Sequence, residues 1–169
     1  VGVTARLQHT VFVDRTRRQQ TGAAIAEMVE RLAGGVSVVL FAEGTSSDGN
    51  RVLPFRSALI GAIKEASAHT EHGVLMQPMS IGYTNTHGIP MGRQHRPLVA
   101  WYGDLDVMPH IREFIERGAV DAGVSYGEPV LADAAADRKA MAKSLEGAVR
   151  TLATATLRGS RHQAHAAAS

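Results

Sequence analysis

Cysteine is absent from this chain of 169 residues. That absence excludes a disulfide scaffold, a thiolate metal site and a cysteine nucleophile, and it accords with a reducing compartment. Long hydrophobic runs are missing too. No stretch of 18 apolar residues occurs, so no segment reads as a membrane-spanning helix, and no signal peptide is visible. Excess charge of one sign is lacking: 18 Lys and Arg face 16 Asp and Glu, a net +2 too even for a dedicated nucleic-acid binder. There is no internal repeat, no Pro/Ser-rich linker and no Gly-x4-Gly-Lys-[Ser/Thr] loop. The last absence argues against a phosphate-binding hydrolase of that type. What is present is ordinary globular material. Hydrophobic residues make up 44% and charged residues 20%, enough apolar matter for one domain with its own core. The chain opens on Val1 rather than Met, which is read as the mark of a piece of a longer protein.

Short apolar runs alternate with segments of helical period. Val11-Phe12-Val13 reads as a strand. From Thr21 to Ala33, the spacing of Ile25, Met28, Val29 and Leu32 draws one buried helix face, and Gly34-Gly35 stops it. Val36 to Phe41 is β-rich and apolar on both faces, as in a central strand. A polar loop from Ala42 to Arg56 carries the turn residues Gly44, Gly49, Asn50 and Pro54. Ser57 is placed to N-cap a helix that buries Leu59, Ile60 and Ile63. Val74 to Ile81 reads as a strand interrupted by Pro78, and Leu98 to Tyr102 as a buried strand. Asp106 is placed to cap a helix through Val107, Ile111, Phe114 and Ile115. Val120 to Tyr126 alternates apolar and polar residues, as a half-buried strand does. Met141, Leu145, Ala148, Val149 and Leu152 give a last helix. The alternation predicts an α/β fold: a layered, mixed but largely parallel sheet flanked by helices. Its single domain covers residues 1–157, with a loose tail at 158–169.

The 42–56 loop carries the chemistry. Glu43 follows a predicted strand and is held by a tight turn at Gly44. Thr45, Ser46 and Ser47 bring hydroxyls, and the successive amides of such a turn can make a nest for an anion. Arg51 and Arg56 add fork-shaped donors suited to phosphate or carboxylate. The same residues also serve a plain solvated turn. A basic block, Asp14-Arg15-Thr16-Arg17-Arg18, follows the first predicted strand. Arg15 is placed to enter the same cleft, and Arg17 and Arg18 to stay solvated or to touch anionic lipid.

In this order the segments resemble the lysophospholipid (1-acylglycerol-3-phosphate) acyltransferases. Val11-Phe-Val-Asp-Arg15 looks like that family's second block, a short apolar strand ending in Arg. Phe41-Ala-Glu-Gly-Thr-Ser46 looks like its third, Phe-Pro-Glu-Gly-Thr-Arg. Val74-Leu-Met-Gln-Pro-Met79 looks like its fourth, an apolar strand containing Pro. The resemblance covers roughly residues 3–130. Ala42 and Ser46 depart from the third block, and losing its Arg removes one phosphate contact that Arg51 could replace. The longer Gly44 to Arg51 run, with Trp101-Tyr-Gly-Asp-Leu-Asp106 downstream, is similar to bacterial ornithine-lipid O-acyltransferases.

The resemblance implies a catalytic His-x4-Asp pair, in which His takes the proton of an acceptor hydroxyl and Asp orients the imidazole. His9 and Asp14 match the spacing. They overlap the second block, however, and they flank a predicted strand in which five residues span about 17 Å. They are therefore read as a coincidence, and the true pair is expected upstream of Val1. The remaining histidines carry less. His69 and His72 lack the further convergent ligands of a metal site. His87 and His95 bracket a surface loop, His110 sits in a predicted helix, and His162 and His165 fall in the tail.

The implied activity is transfer of a fatty acyl group from acyl-CoA or acyl carrier protein to a lysophospholipid or lyso-ornithine lipid, at the cytoplasmic face of a membrane, without metal, cofactor or nucleic acid. Arg15, Glu43, Gly44, Thr45, Arg51 and Arg56 are the implied acceptor-binding residues. The alternative is a non-catalytic lipid- or protein-binding module on the same fold.

Overall fold

Helix α1, Arg18–Ala33, ends where the glycine pair demands it. The amide of Gly35 donates to Leu32 O at 3.0 Å and that of Val36 to Arg31 O at 2.9 Å, the paired bonds of a Schellman stop. Gly35 takes the left-handed conformation this requires, with φ +77°. The structure, a computed structural model, describes residues 18–159 apart from 69, 71–72, 104 and 133–136, and leaves the side chains of 18–24 and 107 undescribed. The predicted strand at Val11–Val13, the His9/Asp14 spacing, Arg15, the His69/His72 pair and nearly all of the predicted tail lie outside the described residues.

Helix α2, Ser57–Ala68, has Ser57 as its first residue and buries Ile60, Ala62, Ile63, Ala66 and Ser67. Helix α3, Val107–Glu116, starts after Asp106, whose backbone is extended as an N-cap's is but whose side chain makes no capping bond. Helix α4, Arg138–Leu157, is capped by Asp137, which accepts from the amides of Lys139 and Ala140 at 3.3 and 3.2 Å. These two amide bonds hold the Asp137 carboxyl below the usual aspartate range. Helices α1 and α4 both pack on α2. Met28 of α1, Ile60 and Ala66 of α2 and Leu145 of α4 meet in one core, with Ile25, Val29 and Leu32 along its edge. The helical period therefore located the buried faces of α1, α2 and α4. No helix among the described residues is long and apolar enough to cross a membrane.

The strands form two sheets. β1, Leu75–Met76, pairs with β5, Val130–Leu131. β2, Met79–Thr86, lies between β3, Ile89–Pro90, and β4, Val120–Tyr126. Every one of these pairings is antiparallel. The chain is thus mixed α/β as expected, but the largely parallel sheet is not found among the described residues. Helix–strand alternation says that layers form; it does not fix strand direction. Pro78 divides the predicted 74–81 strand into β1 and β2, since a residue without an amide hydrogen cannot continue the ladder. Across that corner Gly127 N donates to Pro78 O at 2.8 Å and Gln77 Nε2 to Gly127 O at 3.2 Å. Helix α4 lies over β2 and β4, and Ser125 Oγ and Thr156 Oγ1 share a hydrogen bond of 2.7 Å.

Two predicted strands are not strands. Leu98 to Tyr102 begins in a 3-10 turn, Arg96–Leu98, in which Pro97 fixes the backbone. The amides of Val99 and Ala100 donate locally to Arg96 O, at 3.1 and 3.0 Å, so they are spent before any ladder could use them. Val36 to Phe41 has the composition of a central strand, but no described strand pairs with it. Val39 and Phe41 are each 68% exposed. A strand exists through its neighbour, and composition alone does not supply one.

Candidate functional site

The loop from Ala42 to Arg56 is closed at several levels. At its base, Arg56 N donates to Ala42 O at 2.9 Å, and Gly44 N turns back to Phe41 O at 3.0 Å. Higher up, the half-buried Glu43 accepts the amide of Leu53 on Oε2 at 2.6 Å, a short charge-assisted bond. Ser47 Oγ donates to Arg51 O at 2.9 Å. Near the tip, Asp48 accepts the amide of Asn50 at 3.1 Å and its side-chain Nδ2 at 3.3 Å. These bonds to Asn50 hold the Asp48 carboxyl below its ordinary value.

Gly44 is required where it stands. Its φ is +66°, and a Cβ there would lie 2.6 Å from Cδ of Arg56. The Arg56 side chain lies over this glycine, with Nε 3.4 Å from Glu43 O. The structure thus brings Glu43, Gly44 and Arg56 together. Thr45 is exposed on the same turn.

Glu43, Ser47, Asn50 and Arg51 line a groove of about 1180 Å³. Most of the other lining side chains are apolar, from Val36 to Phe41, Val74 to Met79, and Leu145, Val149 and Leu157 of α4, with the polar Ser37, Gln77, Ser80, Arg150 and Thr154 among them. The usual ligand pocket holds about 300–1,000 Å³, so this one exceeds what a polar head group fills. The segments resembling the third and fourth blocks therefore line one cavity. Of the sequence-nominated residues, Glu43 and Arg51 line it; Gly44, Thr45 and Arg56 belong to the same loop but not to the groove wall.

Two residues that hold this loop escaped the sequence reading. Glu146 of α4 accepts the amide of Phe55 on Oε2 at 3.0 Å while its Oε1 pairs with Arg150 at 2.7 Å. Arg96 reaches the loop tip, donating from Nη1 to Asn50 Oδ1 at 3.1 Å. Only the polar character of Glu146 inside an apolar helical stripe, beside Leu145 and Val149, could have marked it in advance.

Residues 1–82 match the family model described as Acyltransferase. The chain is 49% identical over 162 residues to the lyso-ornithine lipid O-acyltransferase of Brucella abortus (strain 2308), covering 94% of this chain and 60% of that protein. The protein of the same name from Rhizobium meliloti (strain 1021) is 43% identical over 159 residues, 94% of this chain and 54% of its own length. That of Rhodobacter capsulatus is 31% identical over 155 residues, 89% and 52%. The chain spans little more than half the length of these relatives. No solved structure matches it.

Proposed function

From the acyltransferase domain that this chain carries, we propose that the protein transfers a fatty acyl group to the hydroxyl of a lyso-ornithine lipid at the cytoplasmic face of a membrane. Residues 1–157 form the carboxyl-terminal part of its acyltransferase domain. The donor is an acyl thioester, on coenzyme A or on acyl carrier protein. The acceptor oxygen attacks the thioester carbonyl, the carbon–sulfur bond breaks, and the thiol leaves with the proton that the hydroxyl gives up. The family resemblance assigns that proton transfer to a His-Asp pair ahead of the second block. Residues 18–159 serve acceptor recognition.

One observation carries this reading: a carboxylate and a guanidinium, Glu43 and Arg51, line the same largely apolar groove. Ornithine presents an ammonium and a carboxylate, so a head group of that kind needs one partner of each sign. Glu43 uses Oε2 for the Leu53 amide, and Oε1 takes the ammonium. Arg51 takes the carboxylate, with Arg15 as a second cation from the neighbouring block and Arg56, Gly44 and Thr45 shaping the turn. Ser46 in place of the family's Arg then fits an acceptor with no phosphate to hold. The lipid tail follows the apolar walls.

The test is acyl transfer by the full-length protein, with lyso-ornithine lipid against lysophosphatidic acid. Replacing Glu43 with Gln leaves an oxygen for the Leu53 amide but removes the charge. It is expected to lower kcat/KM for the ornithine acceptor by about 2–4 kcal/mol in transition-state terms, and Arg15→Ala by a similar amount. Near-normal acylation by Glu43→Gln, or no transfer to any lysolipid by the wild type, defeats the proposal.

A further inference from the structure

The tip of the Glu43 loop is held by a cation to which the proposed reaction gives no part. Arg96 is 8% exposed. Its Nη1 donates to Asn50 Oδ1 at 3.1 Å, and its Nη2 to Met91 O at 3.2 Å and to Leu157 O at 3.5 Å. Nε is buried without a partner. Among the described residues the guanidinium pairs with no carboxylate. A charge this deep is costly unless its hydrogens are received. Here three neutral acceptors from three segments receive them: the loop tip, the turn after β3 and the last turn of α4. The α4 carbonyl lies at a helix C-terminus, where the backbone dipoles favour a cation. A lysine, with one rotating ammonium, lacks the planar fork that reaches all three.

Asn50 passes this constraint on. With its oxygen committed to Arg96, its Nδ2 faces Arg93 O at 3.0 Å and Asp48 Oδ2 at 3.3 Å, and its own amide is taken by Asp48. The next residue is Arg51, whose carbonyl is fixed from the other side by Ser47. We propose that Arg96 is a positioning residue for acceptor recognition: through Asn50 it fixes the backbone from which Arg51 reaches the groove. This rests on the reading of the chain as a lysolipid O-acyltransferase.

The experiment uses the full-length protein with Arg96→Gln, Asn50→Ala and the double variant, and varies lyso-ornithine lipid and acyl donor in turn. Each single change is expected to raise the KM for the acceptor about tenfold and to leave the donor KM within about twofold. The double variant is expected to match the worse single one, because both cut the same link. Arg96→Lys should not restore the acceptor KM. Amide hydrogen exchange over residues 44–53 should rise in both single variants. Asn50→Ala removes the link from the loop side with the buried cation untouched, so it decides the matter if Arg96→Gln does not fold. An unchanged acceptor KM, a fall in kcat with both KM values unmoved, or multiplying single effects overturns the proposal. A wild type that acylates no lysolipid defeats the functional reading instead, and unaltered exchange over 44–53 then defeats the Arg96–Asn50 hold itself.

Discussion

Replacing Gly44 with Ala separates two costs that usually come together. At φ +66° an alanine is in the left-handed region, worth about 1–2 kcal/mol of strain. The new methyl also meets the Arg56 side chain, with Cδ 2.6 Å from the Cβ position. That side chain is flexible, so it moves aside and loses its bond to Glu43 O, at 3.4 Å a weak one, at a further cost of about 0.5–1.5 kcal/mol. Gly35 provides the reference: its φ is +77°, and a Cβ there meets nothing within 4 Å. Gly35→Ala therefore carries the strain alone. Urea unfolding of the full-length protein, read as midpoint shifts at a common slope, should show Gly44→Ala more destabilising than Gly35→Ala by about 1 kcal/mol. In an Arg56→Ala background the two should become equal. Equal costs in the wild-type background, or a difference that survives Arg56→Ala, would refute the claim that Arg56 is what Gly44 makes room for.

Two further outcomes follow from the same loop. Glu146→Ala leaves the half-buried amide of Phe55 without its acceptor and is expected to cost about 1.5–3 kcal/mol, whereas Arg150→Ala, which removes the exposed cation of an i,i+4 pair and leaves Glu146 bonded to that amide, should cost under about 1 kcal/mol in the same unfolding assay. Asp48 has a folded-state pKa below its ordinary 3.8, chiefly through the Asn50 amide. Its contribution is present at neutral pH and is lost as the pH falls below 3.8 through that lowered value. Asp48→Asn should flatten this part of the acid limb in a stability–pH profile, and an identical acid limb in both proteins would contradict the assignment.

Helix faces were legible because burial on a helix is periodic in the chain itself. Ile25, Met28, Val29 and Leu32 announced their side of α1, and Leu145 and Val149 theirs on α4. Sheet membership was not legible in the same way. Val36 to Phe41 and Val120 to Tyr126 are both β-rich, yet among the described residues only the second finds a partner, seven register pairs along β2; that outcome depends on distant chain. Local chemistry also misled: the segment at Leu98 spends its amides on a turn set by Pro97. Within the site, Glu43, Gly44 and Arg56 could be nominated because they share one loop. Arg96 and Glu146 lie 46 and 91 residues from the loop positions they hold, and no local pattern links such pairs.

The corner at Gln77-Pro78 has a consequence for how length changes are absorbed. One backbone passes there from the small ribbon into the larger sheet, and opposite it Gly127 is bonded to both Pro78 and Gln77. Alignment of the β region is therefore stated twice, once on either side of a common seam. Removing one residue between Met76 and Met79 would put the two statements in conflict, whereas an extra residue at the His87-Gly88 reversal would leave both untouched. The seam acts as a fixed origin from which both sheets are counted.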